Sequence, residues 1–255
     1  MKKIVITIIL IYLTSFSVNG QYVGPKSIVV GDTITNNYQV IYPLGWSEDG
    51  VFAYIHQDIN PLGAAEIYFY TVIFQNMKTG KILWILNIEY DLENNNDNRY
   101  HYSEDGTTYN YAFFKQIVWN SYGQKIEDKL KLYNIERTDS SLHKLTDLPK
   151  DISLKESGTK NDSEISVRYN IKLFKPQKFK PVYNYDCTRT KDSCDVNESI
   201  WYKTFAVKGY FKSPFEIRIA ILVFKETNGF EEPYEYPFFV GTHLEKGFMD
   251  RGCKQ

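Results

Sequence analysis

Apolar and polar residues alternate along much of the chain. In "VFAYIHQ" (51–57), Val51, Ala53 and Ile55 share one side and Phe52, Tyr54 and His56 the other, the period of a half-buried strand. "EIYFYTVIF" (66–74) and "ILWILNIEY" (82–90) are dense in aromatic and β-branched residues, which suit a pleated surface. Between them "QNMKTGK" reads as a turn, since Asn76 and Gly80 tolerate the backbone angles it needs. Together these segments predict a three-stranded antiparallel meander within 38–90. Its first strand is entered through Ser47-Glu48-Asp49-Gly50. There the Ser47 and Asp49 side chains can cap backbone N–H groups while Gly50 takes a positive φ. The same four residues recur at 103–106. Turn chemistry explains the recurrence better than an internal repeat, because the second copy precedes a helix.

The period changes after residue 110. Val118, Tyr122, Ile126, Leu130 and Tyr133 recur at helical spacing, with Lys and Glu opposite, and predict one prominent helix within 111–135. Gly123 weakens it by roughly 1 kcal/mol relative to Ala. Strand patterns return in "EISVRYNIKLF" (164–174), "SIWYKTFAVKGYF" (199–211), 216–225 around the buried-looking "IAILVF", and 237–244. The stretch "KPQKFKPVY" (175–183) reads as an edge strand guarded by Lys and Pro. The fold class expected is mainly β, with antiparallel meanders and one helix; an α+β or two-sheet arrangement is the alternative.

Residues 1–20 follow the order of a secretory signal peptide: two lysines, an apolar run from Ile4 to Leu13, then small and polar residues. That run is shorter than the roughly 20 residues a membrane-spanning helix needs. The remaining residues, 21–255, are read as a single β-rich domain with a helical insertion around 111–135. Export places the chain in the periplasm or outside the cell. The 21 tyrosines fit half-buried strands or, alternatively, an aromatic binding face. A net charge of −1 gives no global field to recruit nucleic acid. Lys interleaved with aromatics in "KLFKPQKFKPVY" does not change that reading.

Cys187 and Cys194 lie seven apart in a polar loop, and in an oxidising compartment they predict a local disulfide. Cys253 is left over. The Asn-rich loop 91–108 invites a calcium reading through Asp91, Glu93 and Asp97. A calcium-binding EF-hand loop needs Gly at position six and Glu at twelve, where Asn96 and Tyr102 stand, so a solvated acidic loop is the expectation. The four histidines (56, 101, 143 and 243) lack metal-ligand spacing, and His101 in that loop is the one to test. No phosphate loop or dinucleotide fingerprint occurs, so no cofactor, metal site or catalytic set is assigned. Gly45-Trp46-Ser47-Glu48-Asp49-Gly50 is one residue too long for a nucleophile elbow and leads into a strand.

"GWSEDGVFAYI" (45–55), followed by Thr79-Gly80-Lys81, resembles the outer strands of TolB or WD40-like propeller blades. At about 40–45 residues per blade, the helix and long loops leave room for only a few. The C-terminal third resembles a family of bacterial predicted secreted proteins of unassigned function. The matching residues are Gly209-Tyr210, Ser213-Pro214, Arg218-Ile219-Ala220, Gly229-Phe230-Glu231 and Val240-Gly241-Thr242-His243-Leu244. The resemblance implies export and a β-rich fold and carries no catalytic residues. The function expected is a non-enzymatic binding or interaction module of the cell envelope, whose partner is an envelope protein or a small ligand. The alternative is a hydrolase using scattered loop carboxylates such as Asp97 and Glu104.

Overall fold

The computed structural model describes residues 28–30, 39–60, 67–91, 118–137, 141–161, 166–188, 202–228 and 233–250. Within them the chain is mainly β. The first sheet runs in sequence order through β1 (Ile28–Val30), β2 (Gln39–Trp46), β3 (Val51–Asn60), β4 (Ile67–Asn76) and β5 (Ile82–Asp91). After it comes the single α-helix among the described residues, α1 (Asn120–Leu132). Then follow β6 (Ser153–Asn161), β7 (Ser166–Lys175), β8 (Lys178–Thr188), β9 (Tyr202–Lys212), β10 (Arg218–Asn228), β11 (Pro233–His243) and β12 (Met249–Asp250). The second sheet is ordered β11-β10-β9 and the third β12-β8-β7-β6. Every strand pairing described is antiparallel. The expected meander is present, extended by β1 and β2.

Three apolar cores stack these elements into four layers. Val118, Ile126 and Leu130 beside and on α1 pack on Val40, Tyr42, Val72, Phe74 and Ile88 of the first sheet. The opposite face of that sheet, with Ile41, Phe52 and Tyr54, meets Phe211, Ala220, Leu222, Phe224 and Phe239 of the second. The second sheet then turns Ile219, Ile221 and Val223 onto Tyr169, Ile171 and Leu173 of the third. β10 is therefore covered on both faces, and its residues 219–224 are at most 1% exposed. A strand buried on both faces needs no polar alternate, which is why it reads as an unbroken apolar run.

Two segments differ from their sequence reading for local reasons. β2 contains Pro43 and Gly45, residues that normally mark turns. A register shift between Pro43 and Gly45 leaves Leu44 as an extra residue, and a bulge of this kind is where a strand accepts proline. β6 has a single apolar residue between Ser153 and Gly158, Leu154, and is held by its pairing to β7.

The described α-helix begins at Asn120 after a π-type turn at 118–119, and residues 111–117 of the expected helix lie outside the described residues. Val118, Ile126 and Leu130 are buried as expected, whereas Tyr122 is 36% exposed. A strict spacing of four drifts around a helix of 3.6 residues per turn. Gly123 takes the inward place instead, with the Trp119 indole 3.0 Å from where its Cβ would stand.

Among the described residues many tyrosines and phenylalanines belong to the cores. Tyr42, Tyr70, Tyr210, Phe52, Phe74, Phe211 and Phe224 are fully buried, and lysines lie over several half-covered rings, among them Lys129 on Trp84 and Lys225 on Tyr185. In each the ammonium lies over the ring face, where the ring quadrupole attracts it. Lys172 and Lys155 cover Phe179 and Phe174 in the β7–β8 hairpin in the same way. The stretch 175–183, expected as one edge strand, instead turns between β7 and β8: Lys175 pairs with Lys178, β12 covers the start of β8 at Lys178 and Phe179, and Pro181 sits at a register shift opposite Lys172. No helix among the described residues is long and apolar enough to cross a membrane.

Candidate functional site

The Ser47–Gly50 turn forms as its residues dictate. Ser47 Oγ accepts the Val51 N–H at 3.0 Å, the Gly50 N–H donates to the Ser47 carbonyl at 3.0 Å, and Gly50 has φ +83. Ser47 is buried and spent on the turn, while Asp49 is exposed. The turn has a neighbour the sequence did not reveal. A Cβ on Gly50 would stand 2.8 Å from Lys78 Cε and 3.1 Å from Glu216 Oε1, so the end of the first sheet abuts the connection between β9 and β10.

That connection, Ser213–Arg218, is built from its own residues. The Ser213 N–H donates to the Arg218 carbonyl at 2.9 Å, and Ser213 Oγ accepts the Phe215 N–H at 3.3 Å. Arg218 opens β10 directly opposite His243, the last residue of β11. The Leu244 N–H then donates to the Ile217 carbonyl at 2.9 Å, clasping the two strand ends. Gly241 lets the sheets meet: a Cβ there would lie 1.9 Å from the Met77 carbonyl oxygen. Arg218 Nη1 donates to that same oxygen at 3.3 Å.

A charged junction results. Arg218 Nε donates to Glu216 Oε1 at 2.6 Å, with side chains only 12% and 23% exposed, and Lys78 Nζ approaches the same oxygen at 3.8 Å. Burial alone would raise the Glu216 carboxyl, but the Arg218 hydrogen bond and charge, with Lys78 and His243, hold it below the ordinary value. His243 Nδ1 accepts the backbone N–H groups of Glu245 and Lys246 at 3.1 and 3.2 Å, which leaves its proton on Nε2. Burial lowers the His243 pKa. The charges of Lys246, Arg218 and Lys180 lower it further, against the raising effect of Glu216. Lys180 donates to the His243 and Lys246 carbonyls at 3.0 and 2.9 Å, and its own pKa is lowered by burial and by Arg218.

A second polar group lies on the first sheet. His56 Nε2 donates to Gln39 Oε1, and Gln39 Nε2 donates to Asp58 Oδ1 at 2.9 Å. Burial lowers the His56 pKa to about 4. His143, by contrast, is tied by its backbone, exchanging N–H···O bonds of 2.8 and 3.0 Å with Tyr210.

Of the residues singled out from the sequence, Cys187 lies in β8 and Asp91 ends β5. Cys194, Cys253, Glu93, Asp97, His101 and Glu104, and with them the disulfide, the calcium reading and the carboxylate pair, lie outside the described residues. Among the described residues no group of three or more His, Cys, Asp or Glu is placed to hold a metal. The sequence reading singled out His101 among the histidines and gave no role to His56 or His243. The available signal was Glu216-x-Arg218 before one strand and His243-x-Glu-Lys after the next. Ser213, Arg218, Gly241 and His243 all meet at this junction. No family model, curated protein or solved structure matches the chain.

Proposed function

We propose that the protein is an exported, non-enzymatic binding module of the cell envelope and that the junction around Glu216, Arg218 and His243 is its binding surface. The observation that carries this reading is how the ionisable groups there are held. A general acid or base must exchange its proton near the working pH and reach the reactant. Glu216 is kept ionised by Arg218, and the basic nitrogen of His243 is occupied by two backbone N–H groups. What the junction offers a ligand is positive charge and fixed hydrogen-bond donors, the equipment of recognition. The signal-like residues 1–20 and the resemblance of the C-terminal third to bacterial secreted proteins support export.

A photo-crosslinking side chain at Ile217, 49% exposed between Glu216 and Arg218, tests the reading. Incubation with an envelope extract should give a ligand adduct by intact mass, and the same probe at the exposed Ser157 of β6 should give none. Equal labelling at both positions, or none at Ile217, refutes it.

A further inference from the structure

We propose that the junction recognises an oxyanion: the phosphate, sulfate or carboxylate group of a ligand. This names the ligand class of the binding site inferred above and rests on that reading. Lys78 and Arg218 flank the half-buried carboxylate of Glu216, while the charges of Arg218, Lys180 and Lys246 converge on His243, with Lys180 held on the His243 and Lys246 carbonyls and Glu245 exposed on the adjoining turn. The surplus is cationic on a chain whose net charge is −1.

The donors are also set in place before any ligand arrives. Arg218 spends Nε on Glu216 and Nη1 on the Met77 carbonyl, so its guanidinium plane is fixed and Nη2 has no partner among the described residues. Lys180 is anchored by two carbonyls and has one ammonium proton left. His243 is 7% exposed and, with Nδ1 occupied, keeps its Nε2–H as a neutral donor. Groups held by cross-strand pairing lose little freedom on binding, and charge-assisted donors in a partly desolvated site bind oxyanions better than solvated lysines do. An anion would also offset the neighbouring positive charges that, after burial, lower Lys180 and His243.

A free small molecule and a lipid headgroup could both present this chemistry, so the test has two arms. In the first, inorganic phosphate is titrated into the full mature chain at constant ionic strength, followed by calorimetry and by the His243 ring signals in NMR. In the second, the protein is sedimented with vesicles of anionic phosphatidylglycerol and of zwitterionic phosphatidylcholine. Lys246→Gln and Lys78→Gln, both at exposed positions, are run alongside. The expected result is saturable binding in at least one arm, a rise in the His243 pKa with phosphate or with phosphatidylglycerol, and roughly tenfold weaker binding in each variant. Binding to phosphate marks a free ligand; binding only to phosphatidylglycerol marks a lipid-borne one. No saturable binding in either arm, or binding unchanged by both variants and without effect on His243, overturns the proposal. If the Ile217 probe still captures a neutral ligand, the oxyanion inference alone fails; if it captures nothing, the binding reading fails as well.

Discussion

Acid should unfold this protein largely through His56. Its ring donates to Gln39, which in turn donates to Asp58, and burial holds its pKa at about 4. In the unfolded chain the same group titrates near 6.5. Between those values the unfolded state carries the extra proton, so stability falls as pH falls, with a slope of roughly 1.4 kcal/mol per pH unit. The His56 contribution is fully present above about pH 6.5, is reduced by about 2 kcal/mol at about pH 5, and by about 3 kcal/mol at about pH 4. Below that both states are protonated and this term stops changing. His143 and His243, also lowered, act in the same direction. The assay is urea denaturation across this range for the native chain and for His56→Gln, whose amide can still donate to Gln39 but does not titrate. The variant should lose the largest single share of the acid sensitivity. An unchanged pH profile in His56→Gln, or an NMR titration of His56 near 6.5, refutes the reasoning.

Three further outcomes follow from the packing and the junction. Leu222→Ala, in the core between the first and second sheets, should cost about 2–5 kcal/mol by denaturation, whereas Leu132→Ala on the exposed side of α1 should stay within about 0.5 kcal/mol. Gly241→Ala places a methyl group against the Met77 carbonyl and should cost about 1–3 kcal/mol or more; a neutral result would mean the first two sheets are not in contact there. Arg218→Gln leaves the Glu216 charge without its nearest partner and should cost about 1–2 kcal/mol, because the pair is only partly buried. That loss should shrink in acid as Glu216 is neutralised, and a pH-independent loss would show that the pairing is not its cause.

Much of the fold was legible because it rests on local periodicity. β3 alternates cleanly since each face meets a different core, and β10 is uniformly apolar since both its faces are covered. The segments missed were those whose stability comes from a partner. β2 carries a proline and a glycine that only its bulge against β3 makes acceptable, and β6 has almost no apolar signal apart from Leu154. The junction was hidden for the same reason. Lys78, Lys180, Arg218 and His243 are distant in sequence, and only the stacking of three sheets and the β10–β11 register bring them together. The Ser47 turn was read correctly as a structural device, but its position beside Glu216 depends on tertiary packing that no local pattern records.

The central claim is that the junction holds its ionisable groups as fixed donors for recognition and not as a proton-transfer pair. Long-range nitrogen-correlated NMR of the histidine rings, followed through the neutral and mildly acidic range, tests it most directly. The structure requires His243 to keep its proton on Nε2 and to stay neutral below the ordinary histidine pKa, with Glu216 ionised throughout. A proton on Nδ1, or His243 and Glu216 titrating together near neutral pH, would contradict the account and restore acid–base chemistry at this site.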